Sequence, residues 1–378
     1  MSGKTELEGH FEIIQICHGK IIPDYSSAYA LKVRHYLEKF ASRKIFSVAG
    51  LIFKDQEERE ARQFHSFLMT GMAYLKGNRS LEILLSKGSY LRRRYFKEVK
   101  GNILSSNIVI FEGPWQFLLF RDFLGDKFVV YDAHNVESYL RKGNKWDSYT
   151  YNIESELSRR ADLIITITES DSKKICELYT VDMRKVKCVP EGIHISNAKW
   201  KGLNSKDIIF IGSAYLPNVE AAETIMDIAK QLPEFNFKLI GSVCDTVKKR
   251  SAPRNVRFLG IVDEERKKEE ICNSLLALNP VSTGSGQNLK MNDYISHGVP
   301  ILTTELGSRG FDYSIKEYFF IAPIEKFPER IEALDKSPDL LKSCSEFFIK
   351  YAEENSYEKT TAIAFEVIKS HLEENKRL

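Results

Sequence analysis

Short apolar runs alternate with longer amphipathic stretches along this chain. Residues 11–17, 44–48, 108–111, 128–131, 163–167 and 186–189 form runs of four to seven residues, rich in Ile, Val and Phe. Runs of this length and composition predict parallel strands buried on both faces. Between them, 28–40 and 153–161 carry apolar residues at helical spacing. Strand and helix alternate, which predicts a doubly wound α/β sheet. A polar stretch at 196–206 reads as a linker. The rhythm then restarts with strand 207–211, helix 219–232, strands 237–240, 256–259 and 275–278, helix 291–296 and strand 299–303. A long amphipathic helix is predicted over 356–376.

Two such sheets predict two Rossmann-like domains facing across a cleft, 1–197 and 206–355. Residues 356–378 then form a separate terminal helix. Ligands of open α/β sheets bind outside the carboxyl ends of the strands. Two sheets can therefore each hold one of two substrates. A chain of 378 residues has length enough for this. Its net charge of +3 argues against a strongly basic nucleic-acid binder. Six cysteines without a C-x-x-C spacing predict buried thiols in a reducing compartment. The N-terminal residues lack the apolar core of a signal peptide, and no run reaches the ~18 apolar residues of a membrane span. The cytoplasm is expected, including its membrane face.

The segment 280–312 is the most informative. A strand ends near Pro280, a small-residue loop follows through Gly286, and a helix is predicted to start near Asn288. Small residues let backbone amides approach an anion, and a helix N-terminus adds a positive dipole end. Lys290 and Asp293, three residues apart, share a helix face. A cation for phosphate and a carboxylate for hydroxyls suit a nucleotide with its ribose. The simpler reading is a glycine loop beside an ordinary ion pair. Neither a Walker loop nor G-x-G-x-x-G after the first strand is present, which leaves ATP hydrolysis and NAD binding unsupported.

This segment, G-S-G-Q-N-L-K-M-N-D-Y-I-S-H-G-V-P-I-L-T-T-E-L-G-S-R-G-F, resembles the donor-site signature of retaining GT-B glycosyltransferases (glycosyltransferase family 4-like, glycosyl transferases group 1). The resemblance places Lys290 at the donor phosphates and Asp293 on the ribose. Ser285, Gly286, Gln287, Asn288 and Leu289 then line the donor site, with Asn288 standing for an arginine and Ser285 for a glutamate. F-I-G-S-A-Y-L-P-N-V-E-A resembles the family's F-x-G-x-x-x-x-P-N-x-x-A, which puts Gly212 and Ser213 by the phosphates. V-R-F-L-G-I-V-D resembles the stretch whose backbone receives the base, which implicates Gly260 and Ile261. In the first half, I-P-D-Y-S-S-A resembles a P-x-x-G-G loop, with Ser26 and Ser27 for the glycines. Y-D-A-H-N-V-E closely matches a family motif, which implies His134 by the donor sugar and Asn135 on the acceptor side. Y-A-E-E-N-S-Y-E-K resembles the segment before the family's last helix, which implies that the helix 356–378 returns to the first domain. V-P-E-G-I-H resembles V-P-N-G-I-D and puts Glu191 on the acceptor side.

The implied activity is transfer of a sugar from a UDP- or GDP-linked donor to a hydroxyl of a glycan, lipid-linked or small-molecule acceptor. It needs no cofactor or metal, and no nucleic-acid partner is implied. An epimerase or sugar phosphorylase of the same fold, or a non-catalytic sugar- or nucleotide-binding subunit, are the alternatives. The stretch from Tyr90 to Lys100, Y-L-R-R-R-Y-F-K-E-V-K, reads most simply as a solvated helix face. Its other reading is peripheral contact with anionic lipid.

Overall fold

The computed structural model describes residues 12–18, 32–33, 35, 43–49, 55–58, 61–65, 93–247, 252–283, 287–311 and 313–375. The chain divides into two units, Met1–Glu191 with Tyr357–Leu378, and Gly192–Ser356. No described helix is long and apolar enough to cross a membrane.

The first unit is built on eight strands: β1 (Ile13–His18), β2 (Arg43–Ala49), β3 (Gln56–Glu58), β4 (Ala61–His65), β5 (Ile108–Glu112), β6 (Phe128–Ala133), β7 (Leu163–Thr166) and β8 (Val186–Cys188). Their order is β3-β4-β2-β1-β5-β6-β7-β8. Every pairing is parallel except β3 with β4, which the apolar pattern did not predict. β3 reads Gln-Glu-Glu and lies at the sheet edge, where no apolar face is required.

The central strands are buried on both faces. Val109, Phe111, Val129 and Tyr131 pack into one core with Tyr95, Val99 and Ile103 of the helix Arg93–Ser105. Ile108, Ile110, Phe128 and Val130 face the other way. There they meet Ala364, Phe365, Ile368 and Leu372 of the helix Tyr357–Glu374. The i, i+4, i+8 spacing of Ala364, Ile368 and Leu372 makes that face continuous. The last helix is thus part of the first unit.

The second unit has six strands: β9 (Asp207–Ile211), β10 (Asn236–Ile240), β11 (Val256–Gly260), β12 (Leu276–Asn279), β13 (Ile301–Thr303) and β14 (Phe320–Ile321). All pairings are parallel, in the order β11-β10-β9-β12-β13-β14. The polar stretch read as a linker packs into this unit. Trp200 donates its backbone N–H to His297 O and its indole N–H to Ser274 O, both at 2.8 Å. Its ring anchors an otherwise polar segment, a role the average polarity of the stretch conceals.

Candidate functional site

In the second unit, the predicted donor residues gather at the carboxyl ends of the strands. Gly212 follows β9, and its N–H donates to Ile240 O at 2.9 Å. That amide is therefore not available to a phosphate. Its contribution is space. A Cβ there would lie 2.9 Å from the Phe210 ring and 3.2 Å from Asn218 Cβ. Those two residues support Lys290. Lys290 Nζ donates to Asn218 Oδ1 at 2.5 Å and lies 4.5 Å from the Phe210 ring centroid. Asn218 is held in turn through its amide N–H groups, which donate to Ser213 Oγ at 3.2 Å and Ser213 O at 3.3 Å. Among the described residues, Lys290 has no carboxylate partner. Burial, and after it the charge of Arg309, push its pKa down to about 7.

The helix bearing Lys290 runs Lys290–His297, one residue beyond the predicted 291–296 at each end and two residues after the start suggested at Asn288. Asn288 precedes it, and its Nδ2 donates to Gly307 O at 2.8 Å. This residue secures the loop after β13. Gly310 in that loop has φ +84°, and a Cβ on it would press on Gln287. Among the described residues, the buried Gln287 Oε1 has no hydrogen-bond partner. Leu289 is exposed at the helix start. Tyr294 Oη accepts from Ile211 N at 2.8 Å, fastening the same helix to the end of β9.

Asp293 does not pair with Lys290. Its Oδ2 lies 3.7 Å from Lys267 Nζ, although 41% of its side chain is exposed. Surrounding protein raises its carboxyl pKa, against the opposing pull of Lys267 and His297. Gly260 ends β11 with φ +72° and accepts from Gly241 N at 2.7 Å. Ile261 follows, 78% exposed. Ser285 and Gly286 lie outside the described residues.

The first unit holds a buried charged cluster. β5 and β6 pair Glu112 with Asp132 in register. His134 comes two residues after Asp132, just past the end of β6. His134 Nε2 lies 2.7 Å from Glu112 Oε2, and Gln15 Nε2 donates to Glu112 Oε1. Lys32 Nζ donates to Asp132 Oδ1 at 2.7 Å, with both side chains nearly fully buried. Ligand atoms of Glu112, Asp132 and His134 lie within 4.8 Å of one another, a convergence the sequence did not show. The Lys32 ammonium already supplies a cation to it.

Burial and Lys32 push the imidazole pKa of His134 down, but Glu112 and Asp132 outweigh them and the net shift is upward. Glu191 is buried and accepts from Tyr357 Oη at 3.1 Å. Burial raises its pKa, against Lys32 and His134. His35 stacks on the Tyr357 ring at 5.1 Å. Asn135 is half-buried beside His134. Ser26, Ser27 and most of the predicted helix at 28–40 lie outside the described residues.

The turn after His134 is clamped by Glu154. This buried carboxylate accepts from Tyr131 Oη at 2.7 Å, Tyr179 Oη at 2.6 Å, Glu137 N at 2.9 Å and Ser138 N at 2.7 Å. Glu112, Asp132, Glu154 and Asn218 escaped the sequence reading. Two of the four lay in quoted motifs without a role, Asp132 in Y-D-A-H-N-V-E and Asn218 in the P-N dipeptide. Of the basic stretch, residues 90–92 lie outside the described residues, and two of the described cations have local partners. Arg94 and Arg62 both pair with Glu98, and Lys100 Nζ lies 4.2 Å from the Phe123 ring centroid.

Residues 205–334 match the family model Glycosyl transferases group 1. No curated protein sequence matches the chain significantly. Among solved structures, HepE of Anabaena, in complex with UDP and glucose, is 11% identical with a TM-score of 0.69 over 95% of this chain and 100% of its own. Sucrose-phosphate synthase of Thermosynechococcus elongatus is 11% identical with a TM-score of 0.74 over 95% and 98%. TarM is 10% identical with a TM-score of 0.66 over 96% and 99%. The chain thus has the GT-B fold, and its second unit carries the glycosyl transferases group 1 signature.

Proposed function

We propose that this protein moves a sugar from a UDP- or GDP-linked donor to a hydroxyl of a glycan, lipid-linked or small-molecule acceptor, with retention and without a metal. One observation carries the reading. Lys290 is a desolvated cation at a helix start, held only by a neutral amide and a ring among the described residues. Such a group is short of an anion. Breaking the anomeric bond builds negative charge on the leaving diphosphate, and Lys290 would stabilise it. A preorganised donor of this kind contributes about 3 kcal/mol in the transition state.

Asp293 accepts from the ribose hydroxyls in this reading, and the backbone at Gly260 and Ile261 receives the base. His134 meets the donor sugar, with Asn135 and Glu191 on the acceptor side. The family resemblance adds Ser285 and Gly286 to the donor loop and Ser26 and Ser27 to the acceptor loop. The UDP found with HepE supports testing UDP-sugars first.

The test is diphosphate release from UDP-, GDP-, ADP- and TDP-sugars, with and without EDTA, by wild type and Lys290→Ala. Release from one donor, unchanged by EDTA and lost in the variant, is expected. Loss with EDTA would remove the metal-independent step. Nucleotide binding without turnover, even with glycan acceptors added, would favour a binding subunit. No nucleotide binding at all would sink the donor site.

A further inference from the structure

The clearest device the sequence did not reveal is the contact between Glu112 and His134. Glu112 has a fully buried side chain at the end of β5. Its two oxygens face two nitrogens, Gln15 Nε2 and His134 Nε2. Gln15 can only donate through that nitrogen, so Glu112 meets it as an acceptor. The 2.7 Å contact to His134 then calls for hydrogen on Nε2. In an imidazole, the hydrogen bond made by one nitrogen sets the state of the other. The surrounding groups are tied to one another. The register places Glu112 opposite Asp132, Lys32 holds Asp132, and Glu154 grips the backbone of Glu137 and Ser138 just beyond.

We propose that Glu112 is a positioning residue that fixes the His134 proton on Nε2, so that Nδ1 is the nitrogen whose hydrogen comes and goes as the ring titrates. The link to catalysis rests on the transferase reading above; the tautomer does not. A neutral His134 then offers Nδ1 as an acceptor, and an imidazolium offers Nδ1–H as a donor. The charged form is favoured by Asp132 and Glu112 and opposed by burial and Lys32.

The test uses the full chain labelled with 15N-histidine, with His134→Asn assigning the His134 signals. Wild type is expected to carry hydrogen on Nε2 across the titration. In Glu112→Gln, Gln15 still donates to the remaining carbonyl oxygen, so the new amide N–H points at His134. The neutral ring should then switch to the Nδ1–H tautomer. A wild-type ring bare at Nε2 when neutral overturns the proposal, and that spectrum suffices if the variant does not fold. An unchanged tautomer in a folded Glu112→Gln protein overturns it as well.

Activity gives a second readout. Glu112→Gln should lower kcat about tenfold, the scale of one lost hydrogen bond to a charged group, with donor KM nearly unchanged. In the His134→Asn background the same change should have no further effect. Additive losses would mean Glu112 acts on the fold and not through His134. If the tautomer behaves as expected but wild type transfers no sugar from any donor, the transferase reading falls and the tautomer assignment stands.

Discussion

The two units solve the problem of a buried charge in opposite ways. In the first, Lys32 pairs with Asp132 and Glu112 with His134 before any ligand arrives. In the second, Lys290 rests on a neutral amide and an aromatic ring, and burial, with the charge of Arg309 after it, lowers its pKa to about 7. Paired buried charges lock geometry, because removing one partner strands the other. An incompletely paired cation keeps a strong preference for whatever anion comes next. The first arrangement suits orientation of a side chain, and the second suits capture of a phosphate.

The largest effect should come from the incompletely paired cation. Lys290→Ala is expected to slow diphosphate release by about 10²- to 10³-fold, measured at saturating donor. A change below threefold would erase the contrast between the units. Next comes the backbone that shapes the Lys290 pocket. Gly241 has φ +103°, and a Cβ there would collide with the carbonyl oxygen of Gly212. Gly241→Ala should cost about 1–3 kcal/mol of stability, read from denaturant midpoints, and weaken UDP binding with it.

Asp293→Asn should weaken UDP binding about tenfold, the scale of one charge-assisted hydrogen bond, with little change in affinity for uracil alone. Calorimetry with both ligands separates the two. The pH dependence sharpens the comparison further. Free Lys290 titrates near 7, and a bound diphosphate must raise that value. UDP affinity should therefore be full below about pH 7 and fall above it, by at most about tenfold per pH unit. Lys290→Arg, which stays charged, should flatten that slope. The smallest effect is expected outside both clusters. Arg94 is 65% exposed in its pair with Glu98, so Arg94→Gln should leave Tm and sedimentation with anionic vesicles unchanged.

The strands were legible because burial on both faces writes itself as a continuous apolar run. Strand β9 falls at 207–211 as the pattern predicts, and β6 differs only in extending to Ala133. The helix Tyr357–Glu374 was legible by its spacing. Its return to the first sheet was implied by the resemblance, and Ala364 and Ile368 share a core with Ile108 and Val130. Trp200 shows the opposite case. A single large ring turned a polar stretch into part of the second core, and average polarity cannot register one ring.

The sequence by itself determined the two parallel sheets and marked Lys290, Asp293 and His134 as chemically interesting. It could do so because periodicity and motif are local properties of the chain. Only the tertiary structure decided who their partners are. Glu112 reaches His134 across neighbouring strands, Asn218 reaches Lys290 from another helix, and Asp293 turns to Lys267 and away from Lys290. Each of those contacts joins residues far apart in the chain. A side chain's charge state follows from its spatial neighbours and its burial, and neither is set by local sequence.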